Sequence, residues 1–514
     1  MVIDTLPVFL QRIAALLAGA LLVTAFAPLG WWIFAFISPA VLVFLWLDAA
    51  PRQAALNGYF FGLGLFGLGV SWVYNSIHEF GHAPALFAAA LTLLFVLTIS
   101  CYPALAGWLQ APRQRLNRRL GVRLLLVMPA AWTLGEWLRG WLLTGFPWLQ
   151  LGYSQIDTLF AWPAPVTGVL GVSWLVMLLV GAGYVVWLGR FRARSVAVLV
   201  AAAVVLVCLQ AARIDWTRAQ GQPLDVALIQ GNIAQEDKWQ PDWLIPTVER
   251  YIDLTKQNLT ADLVVWPEVA LPGEYALFKE TVLEPLRSFL ISRHTDLVFG
   301  VLRRSDRGMH NALVKLGEDT ETYFKRHLVP FGEFIPLRRE AAWLGDMVEL
   351  PAADLTPGWQ ANTLTVKGFQ AGGSICYEDA YGAEVAEMLP KANLLINVSN
   401  DAWFGDSFAP HQHLEIARMR ALETGRPLLR TTNTGITATI DYRGRIRKRA
   451  PQFEVHVLRD TIQPRAGATP YVHWRNRFIV ALMLILLALG LALSRAPKKA
   501  PPRHSGRTPE TSAK

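Results

Sequence analysis

Cysteine is scarce in this sequence: Cys101, Cys208 and Cys376 are the only three among 514 residues. Two of them, Cys101 and Cys208, lie inside apolar runs, which excludes a disulfide framework and a CxxC metal or redox pair. Charge is scarce as well. Charged residues make up 17% of the chain against 53% hydrophobic ones, and the mean hydropathy is +0.31, which excludes a purely soluble protein of this length. There is also no basic patch interleaved with aromatics. The net charge of +9 comes instead from arginines clustered in short gaps between apolar runs, so nucleic acid is not an expected partner. No internal repeat is present, and the only biased stretch is the basic tail at residues 496–514, expected to be disordered.

What is abundant is long apolar sequence. Runs of about the length that crosses a bilayer core as a helix fall at residues 10–27, 30–48, 55–75, 84–109, 122–143, 164–188, 194–212 and 478–494. A second apolar run follows the first almost at once, so the first reads as a retained helix and not a signal peptide. The fifth run carries Glu136 and Arg139 at i and i+3, on one helix face, as a mutual ion pair or as contacts to a lipid headgroup. Arg113, Arg115, Arg118, Arg119 and Arg123 follow the fourth run, and Arg190, Arg192 and Arg194 follow the sixth. Arg495, Lys498, Lys499, Arg503 and Arg507 end the chain, whereas residues 75–83 hold no lysine or arginine. The excess of positive charge on the cytoplasmic side then places both termini in the cytoplasm and the polar part outside.

That polar part spans residues 213–475, between a seven-helix bundle at 1–212 and a closing helix at 476–495. Its pattern is of short β-rich runs alternating with polar helical stretches. Strands are expected at 225–230, 262–266, 296–301, 311–316, 369–375, 393–398, 428–432 and 436–442, and amphipathic helices at 243–259 and 413–424. Several of the strands are apolar on both faces, as in a sheet covered on both sides.

Three β-rich segments lead into chemistry. One presents Cys376, Tyr377 and Glu378; one ends in Trp266, Pro267 and Glu268; one places Lys325 ahead of Val329, Pro330, Phe331, Gly332 and Glu333. A carboxylate can take the proton of a thiol, and an ammonium can stabilise both the thiolate and the oxyanion formed at an attacked carbonyl. A lone cysteine is otherwise a small core residue, Glu333 and Glu378 could equally be surface salt-bridge residues, and spacing alone does not choose between Lys325 and Arg326.

Trp-Pro-Glu, then Lys-x-His-Leu-Val-Pro-Phe-Gly-Glu, then Cys-Tyr-Glu resembles the nitrilase superfamily. With the flanking apolar runs, the chain resembles its membrane-bound branch, the bacterial apolipoprotein N-acyltransferases. The resemblance implies a polytopic α-helical membrane bundle of about eight transmembrane helices carrying an α/β nitrilase-like αββα sandwich. It implies Glu268 as general base, Lys325 as oxyanion-stabilising cation and Cys376 as nucleophile. Glu333 and Glu378 become accessory carboxylates orienting lysine and thiol, and Tyr377 offers the backbone N–H after the nucleophile. Trp239 matches a tryptophan used near the substrate. Residues 397–405 match a further signature stretch, expected to line a pocket mouth. The segment from Thr144 to Gln150, with Trp148, reads as an interfacial aromatic belt, and its resemblance implies lipid access to the site. The implied reaction moves an acyl chain from a membrane phospholipid, through a cysteine thioester, to the N-terminal amine of diacylglyceryl-cysteine on an apolipoprotein. It takes place at the bilayer of the bacterial inner membrane, on the periplasmic side, without metal or other cofactor.

Other readings compete. His78, Glu79 and His82 satisfy H-E-x-x-H, the two-histidine zinc pattern, but Gly81 lies within it and Pro84 follows, so a loop and a chance match are expected. His411 and His413, two residues apart, are expected as loop and cap residues. A membrane-anchored amidase would use the same three residues and pass the acyl group to water. A transporter or membrane metalloprotease would place its function in the bundle and be indifferent to Cys376.

Overall fold

The computed structural model describes residues 7–111, 119–340 and 354–495. Arg113, Arg115 and Arg118 and the tail residues Lys498, Lys499, Arg503 and Arg507 lie outside the described residues. Apolar segments facing lipid must satisfy their backbone internally, so they form helices. Among the described residues, five helices are long and apolar enough to cross a membrane: Val8–Ala25, Ala85–Gln110, Ala164–Leu188, Phe191–Ala211 and Asn476–Leu493. The other three expected runs are also helical but shorter or more polar. Phe34–Trp46 has 13 residues, Pro51–Gly69 carries Arg52, Gln53 and Asn57, and the stretch ending in Met128–Arg139 carries Arg123, Glu136 and Arg139.

Three charges in that last stretch differ from their sequence reading. Arg123 is not a loop charge: it is fully buried and donates to the carbonyl oxygens of Leu47 (2.9 Å) and Trp46 (3.2 Å). A cation suits the unpaired carbonyls that end a helix. Glu136 and Arg139 are buried together and their opposite charges act on each other, as the spacing suggested, but their hydrogen bonds go elsewhere and neither faces lipid. Glu136 Oε1 accepts from Leu151 N (2.8 Å) and Trp132 Nε1 (2.9 Å), while Arg139 donates to the carbonyls of Phe146 and Trp148. The two side chains together fix the segment from Phe146 to Leu151. The H-E-x-x-H pattern also breaks as expected. The helix Val73–His78 stops at its first histidine, and His82 is left-handed (φ 50°), so the two rings do not share a helix face. Among the described residues, no group of His, Cys, Asp and Glu is placed to hold a metal ion.

The second part is a two-sheet sandwich. Its first half contains β1 (Thr217–Ala219), β2 (Leu224–Gln230), β3 (Leu263–Val265), β4 (Leu271–Glu274), β5 (Asp296–Ser305), β6 (Gly308–Leu316) and β7 (Glu321–Phe324). The second half adds β8 (Thr363–Val366), β9 (Phe369–Ile375), β10 (Leu394–Ser399), β11 (Leu428–Thr432), β12 (Ala438–Ile440), β13 (Ile446–Arg449), β14 (His456–Ile462) and β15 (Arg465–Gly467). One sheet has the order β14-β2-β3-β5-β6-β7, with β4 beside β5; the other runs β13-β12-β11-β10-β9-β8. β2, β3 and β5 are parallel, as are β9, β10 and β11.

Side-chain alternation builds the layers. Val226, Leu228, Leu263, Val265 and Val298 join the core between the sheets. Their neighbours Ala227, Ile229, Val264, Leu297 and Phe299 pack outward with Val248, Tyr251, Leu286 and Leu290 of the helices Pro241–Lys256 and Glu284–Ser292. This double covering explains why the strands read apolar on both faces. The sheets come close at Gly373 on β9, where a Cβ would lie 2.8 Å from Leu313 Cδ2 on β6.

On the far side of the second sheet lies the helix Ala409–Thr424. It was expected to be amphipathic from 413, with His411 and His413 in a loop or cap. Both histidines are in fact helical, and the helix is buried on nearly every side because one face packs on the sheet and the other docks on the bundle. Gln412 Oε1 accepts from Trp72 Nε1 (3.2 Å) and Trp148 Nε1 (2.7 Å). Farther along, Glu415 accepts from Ala27 N (3.3 Å) and Glu423 from Val169 N (2.6 Å). The last of these N–H groups is free because the helix Ala164–Leu188 is broken at Gly168, whose φ is 67°.

Candidate active site

The parallel strands deliver their polar residues to one end of the sandwich, the usual place for a site in α/β sheets. Cys376 follows β9 directly, Glu268 comes three residues after β3, and Lys325 is the first residue after β7. All three are buried. Lys325 Nζ lies 3.4 Å from Glu268 Oε1 and 2.9 Å from Glu333 Oε2. Burial opposes a charge on Lys325, but Glu333, Glu268 and the neighbouring Cys376 outweigh it and hold its pKa above the ordinary lysine value. Lys325 is therefore a fixed ammonium, not a base.

The thiol has the opposite balance. Burial first, then the adjacent Glu268 carboxylate, push Cys376 well above its ordinary pKa, while Lys325 pulls it down. The resting residue is a protonated thiol, which could become a nucleophile only where a base takes its proton. Cys376 also has a left-handed backbone (φ 54°), which costs a non-glycine residue about 1–3 kcal/mol. It opens the short helical turn Cys376–Ala380. Tyr377 lies in the first turn, where N–H groups have no intrahelical acceptor, and its hydroxyl donates to Leu328 O (2.8 Å).

The accessory carboxylates divide. Glu333 meets Lys325 as expected and also accepts from Val329 N (2.8 Å). Glu378 is buried and hydrogen-bonds neither the lysine nor the thiol side chain; it reaches both through the backbone beside them. It accepts from Ile375 N (2.7 Å), Arg326 N (2.7 Å), His327 N (3.1 Å) and Tyr323 OH (3.0 Å), and so pins the lysine-bearing loop to the cysteine-bearing strand. Arg326 points away to Glu387 (2.5 Å) and the carbonyl of Glu384 (2.9 Å), which leaves Lys325 as the inward cation.

Two neighbours, Asn311 and Lys238, went unseen in the sequence, and a third, Asn400, belongs to the stretch 397–405 singled out there. Asn311 Nδ2 donates both to Glu268 Oε1 (2.8 Å) and to Glu333 Oε1 (3.0 Å). Asn400 N donates to Glu268 Oε2 (2.9 Å), within the stretch 397–405, which runs from β10 into a polar turn. Lys238 is buried, donates to the carbonyl of Glu268 (3.2 Å), and is brought down to about 8 by burial, against the pull of Glu268. An asparagine inside the apolar strand β6 and a lysine beside Trp239 were the available signals. The two tryptophans separate. Trp239 is half-exposed at 52%, whereas Trp148 is not in an exposed belt. It is 1% exposed, stacked on Phe146 and packed against the His413 ring at 5.3 Å, because Arg139 and Glu136 turn its segment inward.

Residues 225–471, which form the two-sheet sandwich with the thiol, carboxylate and ammonium at its strand ends, match the carbon-nitrogen hydrolase family. Residues 18–182 match the apolipoprotein N-acyltransferase N-terminal domain. An apolipoprotein N-acyltransferase of Methylococcus capsulatus is 47% identical over 96% of this chain and 98% of its own. That of Nitrosomonas europaea is 42% identical over 96% and 99%. A solved CN-hydrolase superfamily protein from Xanthomonas campestris is 19% identical, covering 52% of this chain and 97% of its own with a TM-score of 0.35. The chain belongs to the apolipoprotein N-acyltransferase family.

Two tests follow from the geometry. A Cβ on Gly300 would lie 2.6 Å from Glu268 Cα and from Val269 N, so Gly300→Ala must shift the carboxylate. Acyltransferase turnover of the purified variant should fall by roughly ten- to a hundredfold; unchanged turnover would mean Glu268 needs no fixed position. Second, a thiol with a raised pKa forms thiolate only as the pH rises through that raised value. In a Cys101→Ala, Cys208→Ala background, iodoacetamide labelling of Cys376, read by mass spectrometry, should keep accelerating beyond about pH 9. A plateau near neutral pH would contradict the buried, protonated resting state.

Proposed function

We propose that this chain transfers a fatty acyl group from a membrane phospholipid to the N-terminal α-amine of diacylglyceryl-cysteine on apolipoproteins, with Cys376 carrying the acyl group between them. Glu268 takes the Cys376 proton as sulfur attacks the ester carbonyl; a C–S bond forms, the ester C–O bond breaks, and the proton passes to the leaving lysophospholipid oxygen. Lys325 and the Tyr377 N–H stabilise the oxyanion. The amine then attacks the thioester. A C–N bond forms, the C–S bond breaks, and Glu268 moves the amine proton to the departing thiolate. Ping-pong kinetics follow.

The observation that carries this reading is the buried contact of Glu268, Lys325 and Glu333 beside the Cys376 thiol, in a domain docked onto apolar helices. Burial keeps water from a thioester, which favours transfer over hydrolysis. The organisation we propose is a seven-helix bundle at 1–212, a periplasmic catalytic domain at 213–475, a closing transmembrane helix at 476–495 and a cytoplasmic tail at 496–514. The three shorter or more polar helices complete eight crossings, with both termini in the cytoplasm of an inner-membrane protein. Trp239 and Trp148 take substrate-facing and supporting positions, and Glu333, Tyr377 and Glu378 are accessory. No cofactor enters the reaction.

The test supplies the purified protein in detergent with acyl-labelled phospholipid and a synthetic diacylglyceryl-cysteine peptide. Label should appear as amide on the peptide, and Cys376→Ala should abolish it. Label released as free fatty acid at the same rate with or without the peptide would make the protein a hydrolase and overturn the acceptor assignment.

A further inference from the structure

His413 has no part in the chemistry above, yet it lies under the nucleophile. It is fully buried. Its Nδ1 is 3.1 Å from Asp401 Oδ1; its Nε2 is 2.9 Å from Asp379 Oδ1 and 3.3 Å from the carbonyl oxygen of Cys376. Both ring nitrogens thus face only acceptors, and a ring that donates from both nitrogens is an imidazolium. Arg430 completes the cluster: its guanidinium reaches Asp401 (2.9 Å), Asp379 (3.4 Å) and Asn397 Oδ1 (2.7 Å), so two cations balance two carboxylates. Burial and Arg430 work against the charge on His413, and Asp379 and Asp401 outweigh them, raising its pKa.

The same carbonyl of Cys376 accepts a second bond, from Asn397 Nδ2 at 3.0 Å. A left-handed residue directs its carbonyl and its side chain differently from the strand before it. Two donors on that oxygen therefore set where the thiol points. We infer that His413 is a positioning residue: held as an imidazolium by Asp379 and Asp401, it fixes the Cys376 carbonyl together with Asn397 and thereby aims the nucleophile. The cluster also links the site to the bundle, since the His413 ring packs on Trp148 and its neighbour Gln412 bonds Trp72, Trp148 and the carbonyl of Gly69. This inference rests on Cys376 being the nucleophile proposed above.

The experiment compares wild type, Cys376→Ala, His413→Gln and His413→Asn. Both His413 variants remove the charge. Only glutamine places an amide nitrogen where Nε2 stands; asparagine reaches the place of Nδ1. The rate of acyl-adduct formation is followed by intact mass in detergent micelles at several phosphatidylethanolamine concentrations, with thermal melting as the check on folding. His413→Gln should keep the maximal rate within about threefold of wild type, and His413→Asn should lose at least about tenfold with half-saturation unchanged. Equal rates in both variants, whether normal or low, would overturn the inference, as would a change confined to half-saturation. An absent adduct in wild type would instead remove Cys376 as nucleophile. If a His413 variant does not fold, Asn397→Ser, which removes the other donor, must show the same loss of maximal rate; a normal rate there overturns the inference.

Discussion

A lysine buried between two carboxylates is the constraint on which this site depends. Lys325 is 1% exposed, and an uncompensated ammonium in such a place would cost several kcal/mol. Glu268 and Glu333 supply the compensation, and Asn311 holds them in place by donating to both. The same arrangement sets the acid–base order of the proposed reaction. The carboxylates favour the charged form of the lysine, burial favours the protonated thiol, and of the two carboxylates beside the lysine it is Glu268 whose charge acts most strongly on the thiol. Glu333 instead completes the cage and ties down the Val329 backbone.

The catalytic domain is built into the bundle. The helix Ala409–Thr424 lies between the second sheet and the bundle, and Gln412, Glu415 and Glu423 satisfy groups there that would otherwise be buried without partners. Arg139 and Glu136 do the same from the bundle side by holding the segment that carries Trp148. A domain fixed in this way suits the membrane-borne substrates proposed above, which it would meet by lateral diffusion.

Much of this was legible in the sequence because its signals were local. Apolar run length gave the helices, two-sided apolar strands gave a covered sheet, and Glu268 and Cys376 each come after such a strand, whereas Lys325 follows the short, mostly polar β7 and was legible only through its motif. The failures share a different cause. His413 and Glu378 look like polar surface residues in one dimension, and their roles come from partners far away in the chain: Asp379 and Asp401 for one, the backbone of Arg326 and His327 for the other. Arg123, Glu136 and Arg139 were assigned by charge and helical spacing, whereas the bundle uses them against backbone carbonyls and N–H groups that no periodicity reveals. The missed strands are β1, β4, β7, β8, β13, β14 and β15, and all but the seven-residue β14 are three or four residues long. β13 is Ile-Arg-Lys-Arg and fully exposed, so it has no apolar alternation to read.

The most direct test of the account is the mass of the intact protein after incubation with phospholipid alone, for wild type beside Cys376→Ala. The account predicts a gain of one fatty acyl chain in wild type only, removed by hydroxylamine as a thioester is. Phospholipid consumed by wild type without such an adduct, or the same adduct on Cys376→Ala, would contradict it.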